Sequence, residues 1–193
     1  KAKWEFINQK KCCWMLKVLK AGFFATIQDL GRFGHRDIGV PISGAMDVES
    51  VKKANLLLEN DPYDAVLEIT MMGPKLQFEV PTAISLSGAH LEAKLNDKAI
   101  ENHQVVQVSK GDILSFGKLK NGFRAYLAIK GGFQTEKVLG SRSQYFPVTK
   151  KKRIKDGDEI PYTETASYEP LISEVKIEDH FLTDELEVFK GPE

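Results

Sequence analysis

Groups able to do chemistry concentrate between Thr26 and Asp47, TIQDLGRFGHRDIGVPISGAMD, where an amide, acids, arginines, a histidine and a serine stand among four glycines and a proline. That mixture makes a poor regular element and a good shaped loop, since glycine opens unusual backbone angles and Pro41 fixes one. Gln28, Asp29 and Arg32 follow an apolar segment, at the position where side chains reach into the mouth of a β-structure. Arg32 and Arg142 are the candidate receptors for a carboxylate or phosphate, because a guanidinium pairs both oxygens at once. Arg142 stands in a Gly140-Ser141-Arg142-Ser143 turn whose N–H groups, with Ser143, can assist. Ser43 and Gly44 lie just ahead of a predicted helix N-terminus, a ready anion position. Gln28, Asp29 and Glu68 are the candidates for catalysis.

Each of these residues has a structural role to set beside the chemical one. Asp29 can hold Arg32 in place. Glu68, on a β face, can act as a base or as the buried partner of an arginine, and the second use is the simpler. Asp47 reads as a helix N-cap rather than an acid. Asn55 falls inside an apolar helix stripe, where a buried amide must find partners, so it reads as a tie to a neighbouring loop such as 26–47. His35 can shuttle protons or simply face water. Arg124 and Tyr126 share a strand face and default to the surface. Familiar machinery is missing from the sequence. It has no GxxxxGK[ST] phosphate loop, no GxSxG elbow and no zinc-protease spacing.

The elements that must position these groups are mostly strands. Leu16–Val18 and Phe23–Ile27 read as two short strands around a Gly22 turn, and Val48–Leu58 as the one helix, capped by Asp47 and stopped at Asn60-Asp61-Pro62. Its apolar stripe is Val48, Val51 and Leu58, flanked by Ala54 and Leu57. Strands follow at Ala65–Thr70, Leu76–Val80, Ile84–Leu86, Leu91–Leu95, Val105–Val108, Ile113–Phe116 and Phe123–Ile129. The pair around Lys110-Gly111-Asp112 reads as a hairpin. Many short strands with a single helix predict a mainly β domain, a barrel or sandwich rather than βαβ units.

Composition sets the outer bounds. The 193 residues are 42% hydrophobic and 28% charged, with 27 basic and 27 acidic side chains, so net charge gives no reason to expect nucleic acid or anionic membrane. No run approaches the ~18 apolar residues of a membrane span, and the opening KAKWEFINQKKCCWM lacks the apolar core of a signal peptide. Cys12 and Cys13 are adjacent, a geometry that disfavours a mutual disulfide, and read as reduced thiols of a cytoplasmic protein. Residues 1–14 show no period and read as an upstream extension ahead of Met15. Residues 15–162 read as the folded domain, 163–185 as a linker, and 186–193 as the start of a second half. The basic run Lys150–Arg153 reads as a solvated loop.

TIQDLGRFGHRDIGVPISGAMD, ANLLLEN, LEIT with Gly73-Pro74, LSGA, RAYLAIKGG, LGSRS and the terminal VFKGPE occur here in one order. In these motifs the chain resembles the biotin-dependent carboxyltransferase family in its broad sense. That family embraces the C component of 5-oxoprolinase, the second component of allophanate-hydrolase-like enzymes and the carboxyltransferase region of urea amidolyase. The resemblance implies a cyclophilin-like β-barrel in each of two halves, of which this chain is similar to the first. It implies an ATP-driven 5-oxoprolinase assembly, with A-like and B-like components as partners, in which a lactam oxygen is phosphorylated and 5-oxoproline is opened to glutamate. Arg32 and Arg142 would then hold the substrate's carboxylate or phosphate. Two alternatives come with the family: biotin-dependent carboxyl transfer in urea metabolism, and a non-catalytic antagonist of an inhibitor of a histidine kinase. No biotin carboxylase or biotin carrier segment occurs in these 193 residues. After LGSRS the chain departs from the family pattern, with the shorter, basic SQYFPVTKKKRIKDGD, which would alter substrate preference if it lines the site.

Overall fold

The computed structural model describes residues 13–166, 168–175, 188 and 191. In chain order the strands are β1 (Cys13–Lys20), β2 (Phe24–Gln28), β3 (Val66–Thr70), β4 (Lys75–Phe78), β5 (Thr82–His90), β6 (Ala93–Leu95), β7 (Lys98–Ala99), β8 (Val105–Val108), β9 (Ile113–Phe116), β10 (Asn121–Ile129) and β11 (Glu159–Thr163). One α-helix, α1 (Val48–Leu57), and a short 3₁₀ turn (Arg36–Ile38) lie between β2 and β3. The domain is mainly β with one principal helix. Its strands form two antiparallel sheets, ordered β11-β1-β4-β9-β6-β7 and β2-β3-β10-β5-β8, rather than one closed ring of hydrogen bonds.

The two sheets face each other across the main core, which includes Leu16, Ile27, Leu67, Ile69, Phe78, Leu86, Leu127 and Ile129. Each such side chain contributes about 1.5–3 kcal/mol when fully buried. The second sheet is covered on its other face as well. There α1 packs Val51, Ala54 and Leu58 against Val66, Ala83, Tyr126 and Ala128. Double coverage explains why β3 reads as a continuous apolar run and not an alternating one. Register shows how the helix gets close: Ser87 opposes Tyr126 and Ser85 opposes Ala128, so small side chains of β5 lie on the helix side.

Four local expectations change. Pairing in β1 begins at Cys13, which lies opposite Thr163, with Trp14 opposite Tyr162, so the strand extends upstream of Met15. β8 and β9 are not a hairpin: β8 pairs with β5, and β9 with β4 and β6. The turn between them is closed by the Asp112 carboxylate accepting from Ser109 N–H at 2.8 Å, while Gly111 N–H donates to Phe78 C=O at 2.7 Å, which carries the chain from one sheet to the other. Val48 is 36% exposed and does not join the buried stripe of α1. Tyr126 is fully buried, because its strand has the helix on the side where solvent was expected.

Asn55 is fully buried and does act as a tie, but to a different loop from 26–47. Its Nδ2 donates to Asp64 C=O at 2.9 Å, and its Oδ1 accepts from Asn60 Nδ2 at 3.1 Å. Asn60 continues to Ile129 C=O at 2.8 Å, so the end of α1 is fastened to β10. Part of the stretch read as a linker also touches the domain: Thr165 N–H donates to Pro81 C=O at 3.0 Å, and Val105 N–H to Ser173 C=O at 2.7 Å. Residues 1–12 and most of 176–193 lie outside the described residues. Asn55→Ala should lower stability by about 1–3 kcal/mol, since it strands a buried carbonyl and an amide. A fall in the urea midpoint at unchanged m-value would report it; an unchanged midpoint would refute the tie.

Candidate functional site

Asp29 leaves β2 with its side chain buried, 7% exposed, and its carboxylate collects four donors. Oδ1 accepts from Gly31 N–H at 2.8 Å, Ser141 Oγ at 2.6 Å and Ser143 Oγ at 2.6 Å. Oδ2 accepts from Arg142 N–H at 2.6 Å. The backbone of Asp29 is engaged too, its N–H donating to Ser143 Oγ at 3.0 Å and its C=O accepting from Ala45 N–H at 2.9 Å. One carboxylate thus pins the Ser141–Ser143 turn to the start of the long loop. Its lone pairs are spent on these bonds, which argues against the catalytic use expected for Asp29, and no ion pair joins it to Arg32 among the described residues.

Arg32 is 1% exposed. Its Nη1 donates to Ser43 Oγ at 2.6 Å, its Nη2 to Ser143 C=O, and its Nε to Val138 C=O at 3.4 Å. Burial pulls its pKa below the ordinary arginine value, and the charge of Asp29 opposes that pull. A guanidinium sealed in this way spans the same two walls that Asp29 ties and presents no open fork to a substrate, contrary to the expectation for Arg32. Ser43 is half-buried, with its hydroxyl turned to Arg32 and donating to Ile42 C=O at 2.7 Å. Gly44 has φ of 93° and Gly31 has φ of 97°. A Cβ on Gly44 would meet Gly31 N at 2.9 Å, and one on Gly31 would meet Ile42 C=O oxygen at 2.7 Å, so the loop's two limbs touch backbone to backbone.

The anion position expected at the helix start is filled from within. Asp47 caps α1, its Oδ1 accepting from Ser50 N–H at 3.0 Å and its Oδ2 from Ser50 Oγ at 2.6 Å. Met46 N–H donates to Glu68 Oε2 at 2.9 Å, and Asp47 N–H to Tyr126 Oη at 2.9 Å. Tyr126 in turn donates to Glu68 Oε2 at 3.0 Å, and Arg124 Nε stands 3.6 Å from Glu68 Oε1. Glu68 is therefore the buried partner of Arg124 and a loop anchor, which leaves the catalytic role without support in the geometry. Burial first, and then the charge of Glu68, push the Tyr126 phenol well above its ordinary pKa.

Gln28, 6% exposed, donates from Nε2 to Thr26 Oγ1 at 2.9 Å and Gln144 C=O at 3.2 Å, while its Oε1 has no partner. Gln144 pairs with Ile27 through its own N–H at 2.9 Å and through Oε1 at 3.1 Å. Seven of the eight residues singled out, Gln28, Asp29, Arg32, Ser43, Gly44, Arg142 and Ser143, thus gather in one linked region, and Glu68 serves the far end of the same loop. Ser141, Gln144 and Tyr126 belong to these networks and were not singled out. Ser141 was legible, since it shares the turn of Arg142 and Ser143.

Arg142 is the exception to this self-satisfaction. Its Nη2 donates to Gln134 Oε1 at 2.9 Å, and no carboxylate lies within ion-pair range among the described residues. It lines a cavity of about 490 Å³ together with Ile27, Gln144, Val148, Ile154 and Ile160.

A two-sheet β domain, one helix and a loop locked onto a turn that offers an arginine to a cavity define the class. Residues 38–193 match the family described as carboxyltransferase domain, subdomain A and B, and the chain belongs to it. It is 44% identical over 139 residues to urea amidolyase of Lachancea kluyveri, covering 72% of this chain and 8% of that protein. It is 36% identical over 151 residues to the C component of 5-oxoprolinase from Escherichia coli K12, covering 76% of this chain and 49% of that protein. The crystal structure of K. lactis urea amidolyase superposes with a TM-score of 0.71 at 39% identity, over 77% of this chain and 9% of that one. The chain thus spans about half the length of the first-named bacterial relative and a small part of the fungal ones.

Asp29→Ala should cost ~3–5 kcal/mol, because four donors lose one acceptor. A double-mutant cycle of Asp29→Asn with Ser143→Ala should give a coupling of about 1–3 kcal/mol by denaturant titration, and additivity would refute the knot. Tyr126 also predicts an alkaline response. Its proton is held more tightly folded than unfolded, so the stability it supplies is complete below the unfolded pKa of about 10 and is lost as pH rises beyond it. Tyr126→Phe should flatten part of the stability loss above about pH 10, and an unchanged slope would refute the assignment.

Proposed function

We propose that this chain supplies the first domain of the C component in an ATP-dependent 5-oxoprolinase, acting with A-like and B-like partner components to open 5-oxo-L-proline to L-glutamate. The reading rests on the relation to the C component of the E. coli 5-oxoprolinase, which runs over 76% of this chain. The guanidinium of Arg142, whose one side-chain partner is the neutral Gln134, favours it over a urea substrate, because 5-oxoproline carries a permanent carboxylate and urea carries none. The part assigned to this chain is binding and orientation. The buried Arg32 and Asp29 hold the Ser141–Ser143 turn, and that turn presents Arg142.

The start of α1 gives no support to an ATP site: the N–H groups of Met46, Asp47 and Ser50 are taken by Glu68, Tyr126 and Asp47, and a triphosphate would meet those two carboxylates. The nucleotide is accordingly assigned to the assembly, and none of the chemistry proposed for this chain passes through it. The second reading, biotin-dependent carboxyl transfer, draws on the 44% identity to the Lachancea urea amidolyase.

Reconstitution with both partner components decides between them. The expected result is ATP hydrolysis stimulated at least tenfold by 5-oxoproline, with glutamate released and with strict dependence on this chain. Urea-stimulated, avidin-sensitive bicarbonate fixation would establish the urea reading instead. A stable complex without turnover of either substrate would overturn both and favour the antagonist.

A further inference from the structure

The cavity beside Arg142 is assembled from three separate pieces of chain. β2 supplies Ile27. The irregular segment that follows β10 supplies Thr135, Glu136, Val138 and Arg142, with Gln144 beyond it. The rest of the wall, from Val148 to Pro161, contains Lys150 and Lys151 of the basic run. The lining is two-natured. Ile27, Ile154 and Ile160 are buried apolar side chains. Among the polar ones, the Lys151 ammonium is committed to Asp158 at 2.8 Å. Arg142 retains a guanidinium edge with a neutral partner alone, Gln134.

A second observation points the same way. The Thr135 Oγ1 is buried and has no hydrogen-bond partner, although it belongs to the cavity wall. An orphaned hydroxyl costs free energy that a ligand group can return. At about 490 Å³ the space lies in the range of small-molecule pockets. The requirements combine into one ligand description: a compact apolar body, one carboxylate, and one amide or similar group able to meet a hydroxyl.

We propose that this cavity is the seat of a small cyclic carboxylate, with Arg142 taking the carboxylate, Thr135 meeting the ring amide, and the Val148–Ile160 segment closing over the apolar ring. The proposal deepens the 5-oxoprolinase reading and rests on it for the choice of ligand. It also moves the binding site away from the Ser43–Gly44 loop end, where the Ser43 hydroxyl is spent on Ile42 C=O, to the outer side of the Ser141–Ser143 turn. The basic segment then becomes the wall that sets ring size and ring polarity.

Calorimetric titration of the chain, alone and with its two partner components, tests the seat with 5-oxo-L-proline, its neutral carboxamide, cyclopentanecarboxylate, L-glutamate and inorganic phosphate as probes. The expected order places 5-oxo-L-proline first, with the carboxamide weaker by about 10- to 100-fold for want of the charge-assisted pair. Arg142→Ala should abolish that preference. It keeps the Arg142 N–H that Asp29 needs, and Arg142→Lys should restore part of it. Thr135→Val should weaken 5-oxo-L-proline several-fold and leave cyclopentanecarboxylate unchanged, a pattern that a merely destabilised variant would not give. Equal binding of acid and carboxamide, insensitivity to both variants, displacement by phosphate, or no binding in either preparation would overturn the proposal. The two readings fail separately. Arg142→Ala with an unchanged KM in a working assembly sinks the seat alone. Carboxylate binding that depends on Arg142, in an assembly without 5-oxoproline-stimulated ATP turnover, sinks the functional reading alone.

Discussion

The carboxylate of Asp29 is the point on which the rest of the site hangs. It lies at the exit of β2, where the hydrogen bonding of the sheet ends and a long loop begins, and it replaces the missing ladder with donors from Gly31, Ser141, Arg142 and Ser143. Three of those donors come from more than a hundred residues further on. In a buried carboxylate that collects so many donors, the donors replace the water it has lost. Arg32, sealed beside it, performs the complementary service with a cation, bonding Ser43 on one side and the Val138 and Ser143 carbonyls on the other. The two charged side chains work as one clamp on two stretches of coil.

This clamp changes how the polar loop is understood. Charged and hydroxyl residues spaced along a glycine-rich segment read naturally as an active site, and the segment is in fact a solved hydrogen-bonding problem. A loop of this length has backbone groups that neither sheet nor helix can satisfy. Side chains supply the partners, Asp47 of the loop and Glu68 of β3 at the helix end, and Asp29 and Arg32 at the strand end. The side chain that the clamp leaves out is that of Arg142, whose backbone N–H bonds Asp29 while its guanidinium meets Gln134 at the cavity wall.

Much of the fold was legible because its signals are local. The single helix followed from its cap and its stop, and the strands from their alternation and turn residues. Errors arose where tertiary partners decide. Tyr126 alternates with core residues and so reads as exposed, yet a helix covers that face. The Lys110-Gly111-Asp112 turn has the residues of a hairpin, yet β8 and β9 part into different sheets, since Gly111 bonds to Phe78 and not across its own turn. Asn55 showed that it needed partners but not which, because an amide inside a helix stripe carries no information about the loop it meets. The site residues were legible as a set for the same reason that their roles were not. Polar residues crowd where a backbone must be held as well as where a ligand must be held, and composition does not separate the two.

Accessibility separates them. A guanidinium whose three nitrogens all meet protein oxygens, as in Arg32, is in its final state and gains little from a ligand. One that meets a single neutral oxygen at the wall of a cavity, as in Arg142, has most of its hydrogen-bonding capacity still to use. The basic segment from Ser143 to Asp158 supplies much of that wall. It is fastened along its length, by Gln144 N–H to Ile27 C=O, Ile154 N–H to Ala25 C=O and Lys151 to Asp158, and apart from Ser143 none of these ties runs through Asp29 or Arg32.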